Sequence, residues 1–152
     1  MLITTHVSSG AVLGRLVRRP GPAVSVGIAS HFALDALPHW GSGWSDSRHG
    51  MDDTMLRVAV VDGLIGLILI ALLARAASPR ERLAVLAGIT GACLPDLDKP
   101  GRLFFGRSPF PGVVDRVHAA VQREHPRLLA RDAVVALVAG AAMVRALSRA
   151  PR

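Results

Sequence analysis

Tyrosine is absent from the 152 residues, and cysteine and lysine occur once each. With Cys93 alone, no intrachain disulfide is possible, and the residue reads as inert packing that says nothing of redox compartment. With one lysine, the net charge of +7 rests on 17 arginines. These flank apolar segments and have no aromatics interleaved among them, a distribution that argues against a nucleic-acid surface. Repeats, low-complexity runs and linker-like stretches are also missing, so residues 1–152 form one domain. No strand-type alternation competes with helical patterning. The opening "MLITTHVSSGAVLG" has no basic residue before its apolar run and no small-residue cleavage site, so a cleaved signal peptide is not expected.

What is present is apolar mass. Hydrophobic residues make up 51% of the chain, mostly Ala, Val, Leu and Ile with many glycines, a mixture more usual in helical membrane proteins than in soluble enzymes. Five apolar helical segments are expected at about 2–17, 23–37, 55–77, 82–94 and 131–147, with a further polar helix between the last two. Residues 58–74 hold a single ionisable group, Asp62, and are apolar on every face. The other segments fall short of the roughly 20 residues that cross a hydrocarbon core, so they are short spans or helices of a soluble bundle. The expected fold is all-α, a small bundle of about five helices embedded in a membrane.

If the five segments run alternately up and down, the ionisable residues sort by end. Arg15, Arg18, Arg19, Arg75, Arg80, Arg82, Arg145, Arg149 and Arg152 fall at one end. His6, Asp35, His39, Asp62, Asp96, Asp98, His118, His125 and Asp132 fall at the other. By the positive-inside rule this predicts a multi-pass protein of the cell membrane with its His/Asp end on the non-cytoplasmic side, and Trp40 and Trp44 beside that end suit an interface.

Three stretches carry the chemistry. In "SHFALDALPHW", His31 and Asp35 are one helical turn apart on one face, and Pro38 ends the helix so that His39 can turn back toward them. In an apolar segment such groups cost several kcal/mol of desolvation unless compensated, and a divalent cation is a strong compensator. In "CLPDLDKP", Asp96 and Asp98 follow a proline at a helix end, where carboxylates can bridge or chelate a metal. In "VVDRVHAAVQREHP", Asp115, His118, Gln122 and His125 share one helical stripe. Each stretch also has a plainer reading: a hydrogen-bonded His/Asp pair, a cap, a solvated helix face. Their convergence from several segments on one end favours a metal centre.

At these residues the chain resembles the predicted membrane-bound metal-dependent hydrolases, through "THVSSG" near the start and "LPDLD" after a late hydrophobic helix. "HFALDALPH" is also similar to the His-x-x-x-Asp-x-x-x-Pro-x-His signature of zinc-dependent phospholipases C, with one residue fewer between Asp35 and His39. The late His-Arg-Gly and Thr-His-Ser motif of the membrane family has no counterpart, and "DRVHAAVQREH" stands in its place. The resemblance implies a metal-dependent hydrolase, zinc foremost among the candidate metals, acting on phosphoesters or lipid headgroups. It implies His6, His31, Asp35, His39, Asp62, Asp96 and His118 as metal ligands, Asp96 as a bridge, and Asp98 as general base. Arg102 or Arg107 would hold an anionic headgroup, and a loop with Phe104, Phe105 and Phe110 would dip into the interface. The alternative is a membrane protein without turnover that uses the same residues for metal binding, transport or helix packing.

Overall fold

The computed structural model describes residues 1–41 and 53–149, so Trp44 of the expected interface and Arg152 lie outside the described residues. The described chain is helical, with five long helices: α1 (Ile3–Val17), α2 (Pro20–Asp35), α3 (Asp53–Ala76), α4 (Pro79–Cys93) and, after two short ones, α7 (Leu129–Ser148). The short ones are α5 (Asp98–Phe105) and α6 (Gly112–Val121), and 3-10 turns occupy Leu94–Leu97 and Pro126–Leu128. Local chemistry sets the breaks. Arg18 ends α1 in a left-handed conformation (φ 59°), and Pro20 then opens α2, where its missing N–H costs nothing. α2 stops at Asp35, before Leu37, because the residue preceding Pro38 is driven out of helical geometry.

α4 is the axis of the bundle. It packs along its length against both α1 and α2, while α3 and α7 close over α1. The inner contacts are backbone against backbone. A Cβ added at Gly88 would stand 2.2 Å from the Gly10 carbonyl oxygen, and one at Gly91 would stand 2.2 Å from that of Val24. Small residues spaced four apart, Gly10 with Gly14 on α1 and Ala84, Gly88 and Ala92 on α4, permit this approach, as they do between helices in lipid. Val7, Leu69, Leu73, Val85, Ile89, Met143 and Leu147 form the hydrophobic core between the helices.

The outside of the bundle is unusual for a chain whose long apolar helix could serve as a core. α3 is long and apolar enough to cross a membrane, and only 22% of its most apolar window is buried in the fold. Val60, Leu64, Leu67 and Ile68 point outward from it, as do Val134, Leu137 and Val138 from α7. Among the described residues it is the one helix that meets those criteria.

The five long helices alternate in direction, and the His/Asp residues gather at one end. The basic residues do not divide as expected. Arg57 lies in the first turns of α3, Lys99 and Arg102 on α5, Arg116 on α6, and Arg127 and Arg131 around the start of α7, all at the His/Asp end. Arg57 and Arg131 flank apolar runs at that end and the others lie in the polar stretch after α4, so both ends are basic and the charge rule gives the bundle no orientation.

Asp62 illustrates how a buried carboxylate in an apolar helix can have a purely structural partner. α1 begins at Leu2 without a side-chain cap of its own, and Asp62 on α3 supplies one from outside: its carboxylate accepts from the amides of Ile3 and Thr4 and from the Thr4 hydroxyl. These amides are among the four orphan donors of a helix start. Asp62→Ala is therefore expected to destabilise the fold by about 1–2 kcal/mol, the upper range for a lost N-cap, while leaving zinc affinity within twofold. Chemical denaturation and a zinc titration of the same variant measure the two effects.

Candidate metal centre

Four side chains from three elements converge at the His/Asp end. Ligand-type atoms of His31 and Asp35 (α2), Asp96 (the turn after α4) and His118 (α6) all lie within 4.8 Å of one another. His6 of α1 completes the group, its ring stacked on that of His31 with centroids 4.1 Å apart. The three imidazoles present the same atom inward. His6 Nε2 stands 3.3 Å from Asp35 Oδ1, His31 Nε2 3.2 Å from Asp35 Oδ2 and His118 Nε2 3.3 Å from Asp35 Oδ2. Each also approaches Asp96, at 3.9, 4.0 and 3.8 Å respectively.

The outward ring nitrogens explain this common orientation. His31 Nδ1 lies 2.8 Å from the Ala92 carbonyl oxygen and donates to it, which turns Nε2 toward the carboxylates. Pro95, in the turn after α4, offers no N–H to compete for that carbonyl. His118 Nδ1 lies 3.6 Å from Asp98 Oδ2, on the opposite side of the ring from Asp35. α6 itself is held against the end of α2 by a short run of backbone bonds, Arg123 N to Asp35 O at 3.1 Å, His39 N to Arg123 O at 3.0 Å and His125 N to His39 O at 2.7 Å.

Two observations test whether a cation fits. His6 is fully buried, yet neither ring nitrogen has a hydrogen-bond partner; Nε2 is near Asp35 but out of line for a bond. An unsatisfied buried polar group costs about 1–3 kcal/mol, so something aimed at by Nε2 would relieve it. Ligands about 2.1 Å from a tetrahedral ion stand roughly 3.4 Å apart, close to the separations between the imidazoles and Asp35, while the Nε2 atoms of His31 and His118, 2.9 Å apart, would have to move apart by about half an ångström. The residues present suit a borderline metal with nitrogen and oxygen ligands. The protein's own cations also pair with the carboxylates: Lys99 Nζ is bonded to Asp96, and the Met1 nitrogen donates to Asp35 Oδ1 at 3.0 Å. Burial works against charge on both members of the first pair. Even so, Lys99 and the facing imidazoles hold Asp96 well below the usual carboxylate range, and Asp96 and Asp98 raise Lys99.

The sequence-derived set divides on inspection. His6, His31, Asp35, Asp96 and His118 come together. His39 is buried beside them with its Nδ1 on the Leu37 carbonyl, 2.8 Å, but is not a member of the four-residue group, and Asp62 caps α1. Asp98 stands behind His118, the place of a carboxylate that orients a histidine and not of a base facing Asp35 and Asp96. The stripe on α6 also splits. His118 and Gln122 face the cluster, whereas Asp115 binds Arg102 (2.6 Å) and Ser108 (2.8 Å), and the exposed His125 accepts from the Arg127 amide. Asp132 accepts from the Trp40 amide at 2.6 Å and so steadies the chain after α2. Arg102 is committed to Asp115, and Phe104 and Phe105 are exposed at the end of α5. Lys99 and the Ala92 carbonyl were not anticipated; the lysine adjoining "LPDLD" was the available signal.

Protonation should report on this geometry. Burial disfavours a proton on His118, but its bond to Asp35 and the nearby Asp98 carboxylate outweigh burial and push its pKa up to about 9. Protonated His118 thus contributes stability to the metal-free fold that is full below the ordinary histidine value of about 6.5 and is lost as pH rises through about 9. A metal needs that nitrogen deprotonated, so metal affinity should rise across the same interval, and at pH 7.5 binding should release close to one proton. Calorimetric titration in buffers of different ionisation enthalpy measures the count; a value of zero would remove His118 from the ligand set.

No protein-family model matches the chain, and neither a curated protein nor a solved structure shows significant similarity to it.

Proposed function

We propose that the chain is a membrane-embedded metal-dependent hydrolase, with His6, His31, Asp35, Asp96 and His118 as the ligands of a zinc-type ion. The observation that carries this is the inward turn of three Nε2 atoms onto two carboxylates, with the far nitrogens of His31 and His118 facing the Ala92 carbonyl and Asp98. Second partners of that kind are the usual support of metal-binding histidines. The resemblance noted in the sequence and the outward apolar face of α3 support the remaining parts of the reading.

A bound zinc-type ion supplies Lewis acidity and a water acidic enough to act as a nucleophile near neutral pH. The protein's own groups do the rest. Asp98 orients His118, Gln122 lies 3.0 Å from His118 Nε2, and Lys99, whose side chain is 21% exposed beside Asp96, is the cation that an anionic oxygen of a phosphoester would meet. Phosphoesters, including lipid headgroups, are the substrate class this charge arrangement suits.

One observation favours the rival, a membrane protein without turnover. Lys99 and the Met1 nitrogen already pair with Asp96 and Asp35, so the protein's own cations balance both carboxylates. Turnover separates the two. Protein loaded with zinc in detergent should hydrolyse a chromogenic phosphodiester, and Asp35→Asn should lower the rate by at least 100-fold. Zinc binding without hydrolysis of soluble or lipid phosphoesters would favour the rival.

A further inference from the structure

We infer that the cleft between α3 and α7 is a binding site for one anionic phospholipid, its chain lying along the cleft and its phosphate on Arg57. The inference rests on the membrane part of the proposed function but not on the metal. The cleft has a volume of about 350 Å³ and is separate from the metal cluster. Its walls are apolar side chains of the two helices, among them Val58, Val61, Ala133 and Leu137, and its floor is the start of α1 at Leu2 and Thr4. Val61 and Leu137 are also exposed, so the cleft opens outward onto the face where α3 and α7 present their apolar residues.

Arg57 supplies charge at one place only. It lines the cleft and makes no ion pair or hydrogen bond among the described residues; Asp53, one turn earlier on α3, is exposed and not bonded to it. The other ionic lining group, Asp62, is occupied by the amides of Ile3 and Thr4. Arg57 immediately precedes the apolar run of α3, which puts its guanidinium at headgroup depth and the cleft below it at acyl depth. A guanidinium above an apolar slot matches a phosphate above a hydrocarbon chain. A second copy of the chain could fill the slot as well, but it would give Arg57 no anion and show no preference for headgroup charge.

The full chain, purified in a mild detergent and examined by native mass spectrometry, should retain phosphatidylglycerol over phosphatidylcholine of the same chains by at least fivefold. Arg57→Gln should erase the preference. Ala133→Phe, which fills the cleft, should lower retention of both lipids, and Arg149→Gln at the opposite end should change nothing. Equal retention of the two lipids by the wild type, or a preference that survives Arg57→Gln, would overturn the site. So would a dimer that Ala133→Phe dissociates without any lipid preference. Release of the protein from membranes by alkaline carbonate would overturn the membrane reading and the lipid site together, whereas stable insertion without lipid preference overturns only the site.

Discussion

Zinc added to metal-free protein is expected to raise its melting temperature by about 5–10 °C at about 100 times the dissociation constant. The value follows from RT ln(1 + [L]/Kd), about 2.7 kcal/mol at that ratio, and from a shift of roughly 2–4 °C per kcal/mol for a chain of this size. His31→Ala and Asp96→Asn should each abolish the rise. The first removes an imidazole held in place by the Ala92 carbonyl, and the second replaces a charged oxygen that stands near all three imidazoles. Arg149→Ala, beyond the end of α7 away from the cluster, should leave it intact. A chelator should return the wild type to the lower melting temperature. The polar-network alternative expects the opposite pattern: both substitutions in the cluster destabilise the protein, yet chelator and zinc leave every melting temperature unchanged. Thermal melts with and without zinc distinguish the two, and a wild-type curve indifferent to metal would end the metal-centre proposal and the hydrolase with it.

Gly88→Ala, like the same change at Gly14 or Gly91, should be among the most damaging single-methyl changes in the bundle. The added Cβ would stand 2.2 Å from the Gly10 carbonyl oxygen and 2.9 Å from the Gly14 nitrogen, both backbone atoms that no side-chain rotation can clear. α1 must move away from α4, and we expect a loss of about 3 kcal/mol or more, the top of the range for overpacked interiors. The displacement reaches the site, because α1 carries His6 while the end of α4 carries the Ala92 carbonyl and leads into Asp96. Zinc affinity should therefore fall at least tenfold although no ligand has been touched. Gly63→Ala is the comparison: nothing lies within 4 Å of its added Cβ, and in a helix interior alanine is favoured over glycine by about 1 kcal/mol. Stability and zinc affinity measured for both variants decide whether backbone contact, and not helix propensity, holds the cluster together. Equal effects of the two substitutions would contradict this account of the bundle.

Much of this was legible before any fold was known, for identifiable reasons. Helix positions followed from uninterrupted apolar segments and, at the end of the second, from Pro38, since periodicity and proline act locally. With the five segments taken to alternate in direction, His6, His31, Asp35, Asp96 and His118 were expected at one end, and the fold brings them together there. The choice among the ionisable residues there was not legible. Asp62 and Asp35 are both aspartates in apolar helices, and only the depth of α3 beside α1 gives one to the amides of Ile3 and Thr4 and the other to three imidazoles. Asp96 and Asp98 are two residues apart, yet the 3-10 turn at Leu94–Leu97 turns one into the cluster and leaves the other behind His118. The sequence by itself determined an all-helical chain with its metal-type side chains at one end, because those properties depend on residues within a few turns of each other. Which of those side chains meet was decided by the tertiary structure alone, because it depends on how closely glycine lets α1, α2 and α4 approach, and that distance belongs to pairs of helices and to no single segment.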